Sequence, residues 1–253
     1  MGAKRWLAWL LCLMLLPVCA RCTEDEADIA YSPAPPPPTA APRETVYPTV
    51  DEVQVTERLL VLSYVQKPIT VWESLDVGDV GLSVPRLYQE NFPEYVCQYD
   101  GEPRSVATSG CSVVCLSMAL YYLTGDASQS PVTLFREACL QGFYRGNGIQ
   151  QAHIAELAEQ HGVKAVRLGK KAANIRTALQ KGYPLMASMG KGIFGGGHYI
   201  LLCGLTEDDR LVVNDPNSRE RSERTYPLAS VFYELDGAMP LLAFMPLDGS
   251  LED

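Results

Sequence analysis

The stretch Ser109-Gly110-Cys111-Ser112-Val113-Val114-Cys115-Leu116-Ser117-Met118-Ala119-Leu120-Tyr121-Tyr122-Leu123 reads as one helix, opened at Gly110, stopped by Gly125 and apolar almost all round. A helix without a polar face has to be buried, so it marks the centre of a folded domain. Further helices follow it. Ser130-Pro131 supplies an N-cap and an N1 proline for a helix to about Leu140; residues 150–160 repeat Ala, Ile and Leu at helical spacing before Gly162; residues 174–181 close at Gly182. From there short apolar runs bounded by Gly, Asp or Pro predominate, at 163–168, 184–189, 198–205, 211–214 and 241–244, and these predict strands. Helices first and strands afterwards predict an α+β domain in which an N-terminal helical layer packs on a mainly antiparallel sheet.

Upstream of this domain the composition changes twice. Residues 1–20 carry Lys4 and Arg5, an apolar run from Trp6 to Val18 and a small-residue cleavage site at Val18-Cys19-Ala20, which together read as a secretory signal. The apolar run falls short of the roughly 20 residues that a spanning helix needs. Arg21 before Cys22 and Val18 before Cys19 argue against lipidation. Residues 21–50 are acidic and then proline-dominated, including Pro35 to Pro38, a composition that favours an extended, semi-rigid spacer over a core. Residues 51–83 form an N-terminal extension, with Leu59-Leu60-Val61-Leu62 and Ile69-Thr70-Val71-Trp72 as two short strands either side of Lys67-Pro68. Three roles remain open for it: a β-extension of the domain, a pro-segment or an irregular wrap. The domain itself spans 84–253. The expected location is secreted, extracellular or at the cell surface, with the spacer offering a route to surface association.

Charge narrows the partners. The chain has 21 basic and 30 acidic side chains, a net charge of −9, and loss of Lys4 and Arg5 with the signal leaves 19 against 30. An acidic chain repels nucleic acid, and the densest basic run, Arg219 to Arg224, is interleaved with Glu220 and Glu223 as solvated loops are. Eight cysteines are too few for a disulfide scaffold of this length. Two leave with the signal. If Cys111 stays a free thiol, the remaining five cannot all pair, and Cys139 and Cys203 read as small buried hydrophobes.

The chemistry concentrates in a cysteine, a histidine and an acid. Cys111 sits where the buried helix begins, and unpaired N–H groups and the helix dipole at such a place favour a thiolate over a thiol. The same N–H groups are placed to hold a tetrahedral oxyanion. Of three histidines, His153 and His161 lie on the helix that ends at Gly162, whereas His198 follows Gly195-Gly196-Gly197 and opens an apolar strand. An imidazole has no packing reason to be there. Hairpin parity then links His198 to Asp215: with a two- or four-residue loop between 198–205 and 211–214, Asp215 falls opposite Leu202 or Ile200, on the face of His198. A three-residue loop would put it on the other face. Taken alone, Asn214-Asp215-Pro216 is also simply a good turn.

Val84-Pro85-Arg86-Leu87-Tyr88-Gln89, Gly110-Cys111, Gly196-Gly197-His198 and Asn214-Asp215-Pro216, in that order, resemble the C39-like cysteine peptidases, an extracellular branch of the papain-like superfamily. The resemblance covers about 84–247. It implies a papain-like fold, Cys111 as nucleophile, His198 as general base and then acid, and Asp215 as the orienting acid. It also implies an oxyanion glutamine. The neighbourhood just before Cys111 is Arg104-Ser105-Val106, and the nearest upstream glutamines are Gln98 and Gln89; Gln89, in the family-like segment, is the better candidate and has to fold back across an insertion, while Ser112 stands where relatives have Gly or Ala. The expected activity is hydrolysis of a peptide or amide bond through an acyl-enzyme, by a monomer. No cofactor is implied, and three scattered histidines offer no metal site. The other two readings are acyl transfer by the same residues and a non-catalytic surface module that keeps the fold.

Overall fold

The computed structural model describes residues 53–62 and 81–252. The signal, the spacer, the Lys67-Pro68 turn and Ile69 to Trp72 lie outside the described residues. Within them, two antiparallel sheets flank a set of helices. The smaller sheet takes β1 (Val53–Gln54), β2 (Leu59–Val61), β3 (Tyr95–Tyr99) and β4 (Glu102–Ser105) in sequence order. The larger sheet has six strands: β5 (Val163–Leu168), β6 (Leu185–Met189), β7 (His198–Leu205), β8 (Arg210–Asn214), β9 (Thr225–Pro227) and β10 (Leu241–Pro246). Their spatial order is β5-β10-β6-β7-β8-β9, and every pairing is antiparallel. The protein is thus an α+β domain, as the order of helices and strands predicts.

Five longer helices cover the strands. A short α1 (Val106–Ser109) leads at Gly110 into α2 (Cys111–Thr124), followed by α3 (Pro131–Leu140), α4 (Gln151–Gln160) and α5 (Ala172–Gln180); α6 (Arg219–Ser222) and α7 (Leu228–Glu234) come later. Helix α2 is buried along most of its length, and Gly125 ends it in the left-handed conformation at φ 70°, its N–H returning to the Tyr121 carbonyl. The Ser130 hydroxyl accepts from the Thr133 N–H to cap α3, with Pro131 at its first position. Ile200 to Cys203 are successively buried in β7, so this strand is covered on both faces, and α2 and α5 both pack against it.

Two features of the strands depart from the sequence reading. The first is the β3–β4 hairpin inside the insertion between Gln89 and Cys111. Its two-residue turn, Asp100-Gly101, has both residues at positive φ, 54° and 77°, the geometry for which Asp-Gly is favoured. β2 adds to its edge, pairing Leu59 with Tyr99 and Val61 with Cys97.

The second is the β7–β8 hairpin. Leu205 pairs with Leu211, and Thr206 and Arg210 close the loop, which leaves Glu207, Asp208 and Asp209, with Asp209 at φ 59°. This is the three-residue loop whose parity would put Asp215 on the wrong face. A β-bulge corrects it: the register shifts between Leu202 and Gly204, so that Leu202 pairs with Val213 and Leu201 with Asn214. Continuing that register, Asp215 comes opposite Ile200 and shares the face of His198. The bulge frees the Cys203 carbonyl, and the Leu82 N–H donates to it at 2.6 Å. Gly81 and Gly204 make that approach feasible; a Cβ on Gly204 would lie 2.6 Å from the Gly81 Cα.

Candidate active site

Cys111, His198 and Asp215 converge from three elements: the first residue of α2, the first residue of β7 and the residue after β8. His198 Nε2 lies 2.8 Å from Asp215 Oδ1, and the ring also hydrogen-bonds with Cys111. With Nε2 engaged by the carboxylate, Nδ1 is the atom left for the sulfur. Burial disfavours a charged imidazole here, but the hydrogen bonds to Asp215 and Cys111 outweigh it and push the His198 pKa up to about 9. Two glycines of the rim before the histidine, Gly195 and Gly197, sit at φ 81° and 72°, and the Gly197 N–H donates to Met189 at 3.1 Å. That turn aims the ring back over the start of α2.

Asp215 is buried and heavily held. Its Oδ1 also accepts the Asn217 N–H at 2.8 Å, and its Oδ2 accepts from Arg221 Nε. Ser222 takes both ends of its peptide: the Asp215 N–H donates to Oγ at 2.8 Å, and the hydroxyl donates to the Asp215 carbonyl at 3.2 Å. Burial raises the carboxyl pKa, yet the hydrogen bonds from His198 and Arg221 hold it below the usual carboxylate range. Arg221 and Ser222 were invisible as site residues in a run that reads as solvated loop. In the structure Arg219 pairs with Glu90, Arg224 with Glu220 and Arg221 with Asp215.

Gln89 does fold back across the insertion. It lies in a 3-10 turn, its backbone N–H donates to the Pro216 carbonyl at 2.8 Å, and its side-chain Nε2 donates to the carbonyls of Val106 at 3.1 Å and Ala107 at 3.5 Å. One glutamine thus ties the loop after Asp215 to the short helix that delivers Cys111. Cys115, one turn beyond Cys111, is buried; its Sγ donates to the Tyr199 carbonyl at 3.6 Å, and burial pushes its pKa well up. Ser112 is buried too, its hydroxyl unpartnered.

The other two histidines are elsewhere. His153 stacks on Phe143 at 4.2 Å, and His161 Nε2 meets Glu137 at 2.7 Å. Among the described residues no group of three or more His, Cys, Asp or Glu side chains is arranged to hold a metal ion. No described helix is long and apolar enough to cross a membrane.

A cysteine at a buried helix start, facing a histidine and an acid at the ends of two neighbouring interior strands of an antiparallel sheet, is the arrangement of a papain-like thiol enzyme. The sequence profile of the Peptidase_C39 like family matches residues 81–236, and the chain belongs to that family; it is a cysteine peptidase. Among solved structures it is similar to a double glycine motif protease from an AMS/PCAT transporter in complex with the leader peptide. That match has 19% identity and a TM-score of 0.40, covering 54% of this chain and 84% of the other. It is likewise similar to the peptidase domain of Streptococcus ComA, a bifunctional ABC transporter involved in quorum sensing. Here the identity is 18% and the TM-score 0.41, over 55% of this chain and 93% of the other. None of the curated proteins matches it.

Proposed function

We propose that the protein is a secreted cysteine peptidase that hydrolyses a peptide or amide bond with Cys111 as nucleophile, His198 as base and then acid, and Asp215 as the group that orients the imidazole. The observation that carries this reading is the single imidazole shared between Asp215, at 2.8 Å, and the thiol at the start of α2. A ring with a pKa of about 9 keeps its proton at neutral pH, which places a positive charge beside the Cys111 sulfur.

Attack by the thiolate on the scissile carbonyl gives a tetrahedral oxyanion. The first N–H groups of α2 lie beside the sulfur, and Gln89 Nε2 supplies a side-chain donor, its bond to Ala107 being the long and weak one. The imidazolium then gives its proton to the leaving nitrogen, an acyl-enzyme forms, and water activated by the neutral ring resolves it. Asp215 supports each step by accepting from Nε2, which fixes the ring orientation and favours its charged form. Secretion rests on the N-terminal signal.

Selective alkylation tests the reading. With iodoacetamide at mildly acidic pH, Cys111 of the secreted protein is expected to react faster than any other cysteine, and His198→Ala to slow it by at least about tenfold. Labelling of Cys111 at the rate of a cysteine in denatured protein refutes the thiolate. Once a substrate peptide is found, adding an amine acceptor separates hydrolysis from acyl transfer.

A further inference from the structure

Two thiols outside the peptidase site lie sulfur to sulfur. Cys97 of β3 and Cys139 of α3 are both fully buried, and Cys139 Sγ donates to Cys97 Sγ at 3.1 Å. The other buried cysteines have settled differently: Cys115 donates to the Tyr199 carbonyl and Cys203 to the Leu201 carbonyl. Among the described cysteines, only Cys97 and Cys139 hydrogen-bond to each other. They come from positions 42 residues apart, on two elements that pack together, so neither chance neighbours in sequence nor a shared helix turn explains the contact.

We infer that Cys97 and Cys139 are a structural disulfide site, closed as the chain folds in an oxidising compartment. The inference goes beyond the proposed peptidase activity. A bonded pair needs about 2.05 Å between sulfurs, so the two atoms have only about one ångström to close. The oxidant is a small-molecule or protein disulfide. One cysteine thiolate attacks it, forming a mixed disulfide and releasing one thiol; the second cysteine thiolate attacks the mixed disulfide, forming the Cys97–Cys139 bond and releasing the other thiol. Two electrons pass to the oxidant. Burial leaves no path for it to the folded pair, and desolvation pushes the Cys139 pKa well up, so exchange belongs to the folding chain.

The bond would fasten the β3–β4 hairpin, whose second strand runs into α1 and Cys111, to α3. It leaves Cys111, Cys115 and Cys203 free, which is compatible with a catalytic thiol in the same chain.

Refolding the full chain, carrying Cys111→Ala to prevent thiol scrambling, in a glutathione redox buffer tests this. Alkylation in denaturant without reductant, followed by peptide mapping, is expected to yield one linked pair of peptides containing Cys97 and Cys139, with Cys115 and Cys203 alkylated. The oxidised protein is expected to melt roughly 8–15 °C above the reduced one, a gap absent from Cys97→Ala/Cys139→Ala. Alkylation of Cys97 and Cys139 to the extent of Cys203 overturns the inference, as does a bond from either of them to another cysteine. The mapping stands on its own if the double variant does not fold.

Discussion

Asp215 holds two cations with one carboxylate, and that division sets the electrostatics of the site. Its Oδ1 faces the His198 ring and its Oδ2 the Arg221 guanidinium. Arg221 offsets part of the negative charge that His198 would otherwise feel alone, and even so the His198 pKa rises to about 9. A pKa raised above the unfolded value near 6.5 contributes stability that is fully present below pH 6.5 and is lost as pH climbs through 9. From these values the folded protein should lose roughly 2–4 kcal/mol between pH 6.5 and 9.5 relative to His198→Gln, which lacks the titrating ring. Denaturant unfolding of both proteins across that range measures the difference. Arg221→Gln should move the drop to higher pH, because the full charge of Asp215 then falls on the imidazolium. A flat difference between wild type and His198→Gln would mean that the ring is neutral in the native state. Cys111 and His198 were legible in the sequence because a thiol at a helix start and a histidine after three glycines are locally odd. Arg221 was not, since its importance comes only from the carboxylate across the loop.

At the scale of elements, the hairpin that joins His198 to Asp215 depends on a bulge that hydrophobic patterning does not encode. Loop parity read from the apolar runs admits two or four residues; the structure uses three and recovers the face by inserting Cys203 unpaired. Consecutive buried residues on β7 erase the alternation from which a register slip could have been noticed. The β3–β4 hairpin was overlooked for the opposite reason: Asp100-Gly101 is a strong turn signal, but both strands are short and the second, with Glu102, Pro103 and Arg104, is polar. The bulge has a structural lock that can be tested. Gly204→Ala puts a Cβ against the backbone of Gly81, where no side-chain rotation can relieve the contact. The expected cost is about 1–3 kcal/mol, from overpacking and a weakened Leu82 to Cys203 hydrogen bond. Because the bulge sets the face of Asp215, the same substitution should slow alkylation of Cys111. Thermal unfolding and the alkylation rate report the two effects separately. Loss of stability with an unchanged rate would show that the register near Asp215 is held by Ser222 and Arg221 without help from the bulge.

Across the whole molecule, the N-terminal extension poses the largest question, because the sequence leaves its role open while the folded body makes use of part of it. Leu59 and Val61 are 1% and 0% exposed, and β2 pairs along β3 with α3 packed against it. Their packing partners lie in the insertion beyond Gln89 and in α3, so a local reading of Leu59-Leu60-Val61-Leu62 finds an apolar stretch with nothing nearby in sequence to bury it. Arg58 adds an ion pair with Asp100 and lies 4.9 Å over the Tyr99 ring, holding the β1–β2 turn to the tip of the hairpin. A chain beginning at residue 81 loses this strand but keeps Cys111, His198, Asp215 and Gln89. Two fully buried aliphatic side chains contribute on the order of 3–6 kcal/mol together, so the shorter chain should melt at least about 6 °C below one beginning at residue 51. It also leaves the edge of β3 unpaired, a surface suited to strand addition, and should self-associate as concentration rises. Differential scanning fluorimetry and light scattering on the two chains check both expectations. Equal melting temperatures would make β1 and β2 dispensable to the fold and favour removal of the extension as a pro-segment; the expected loss instead makes it part of the mature peptidase.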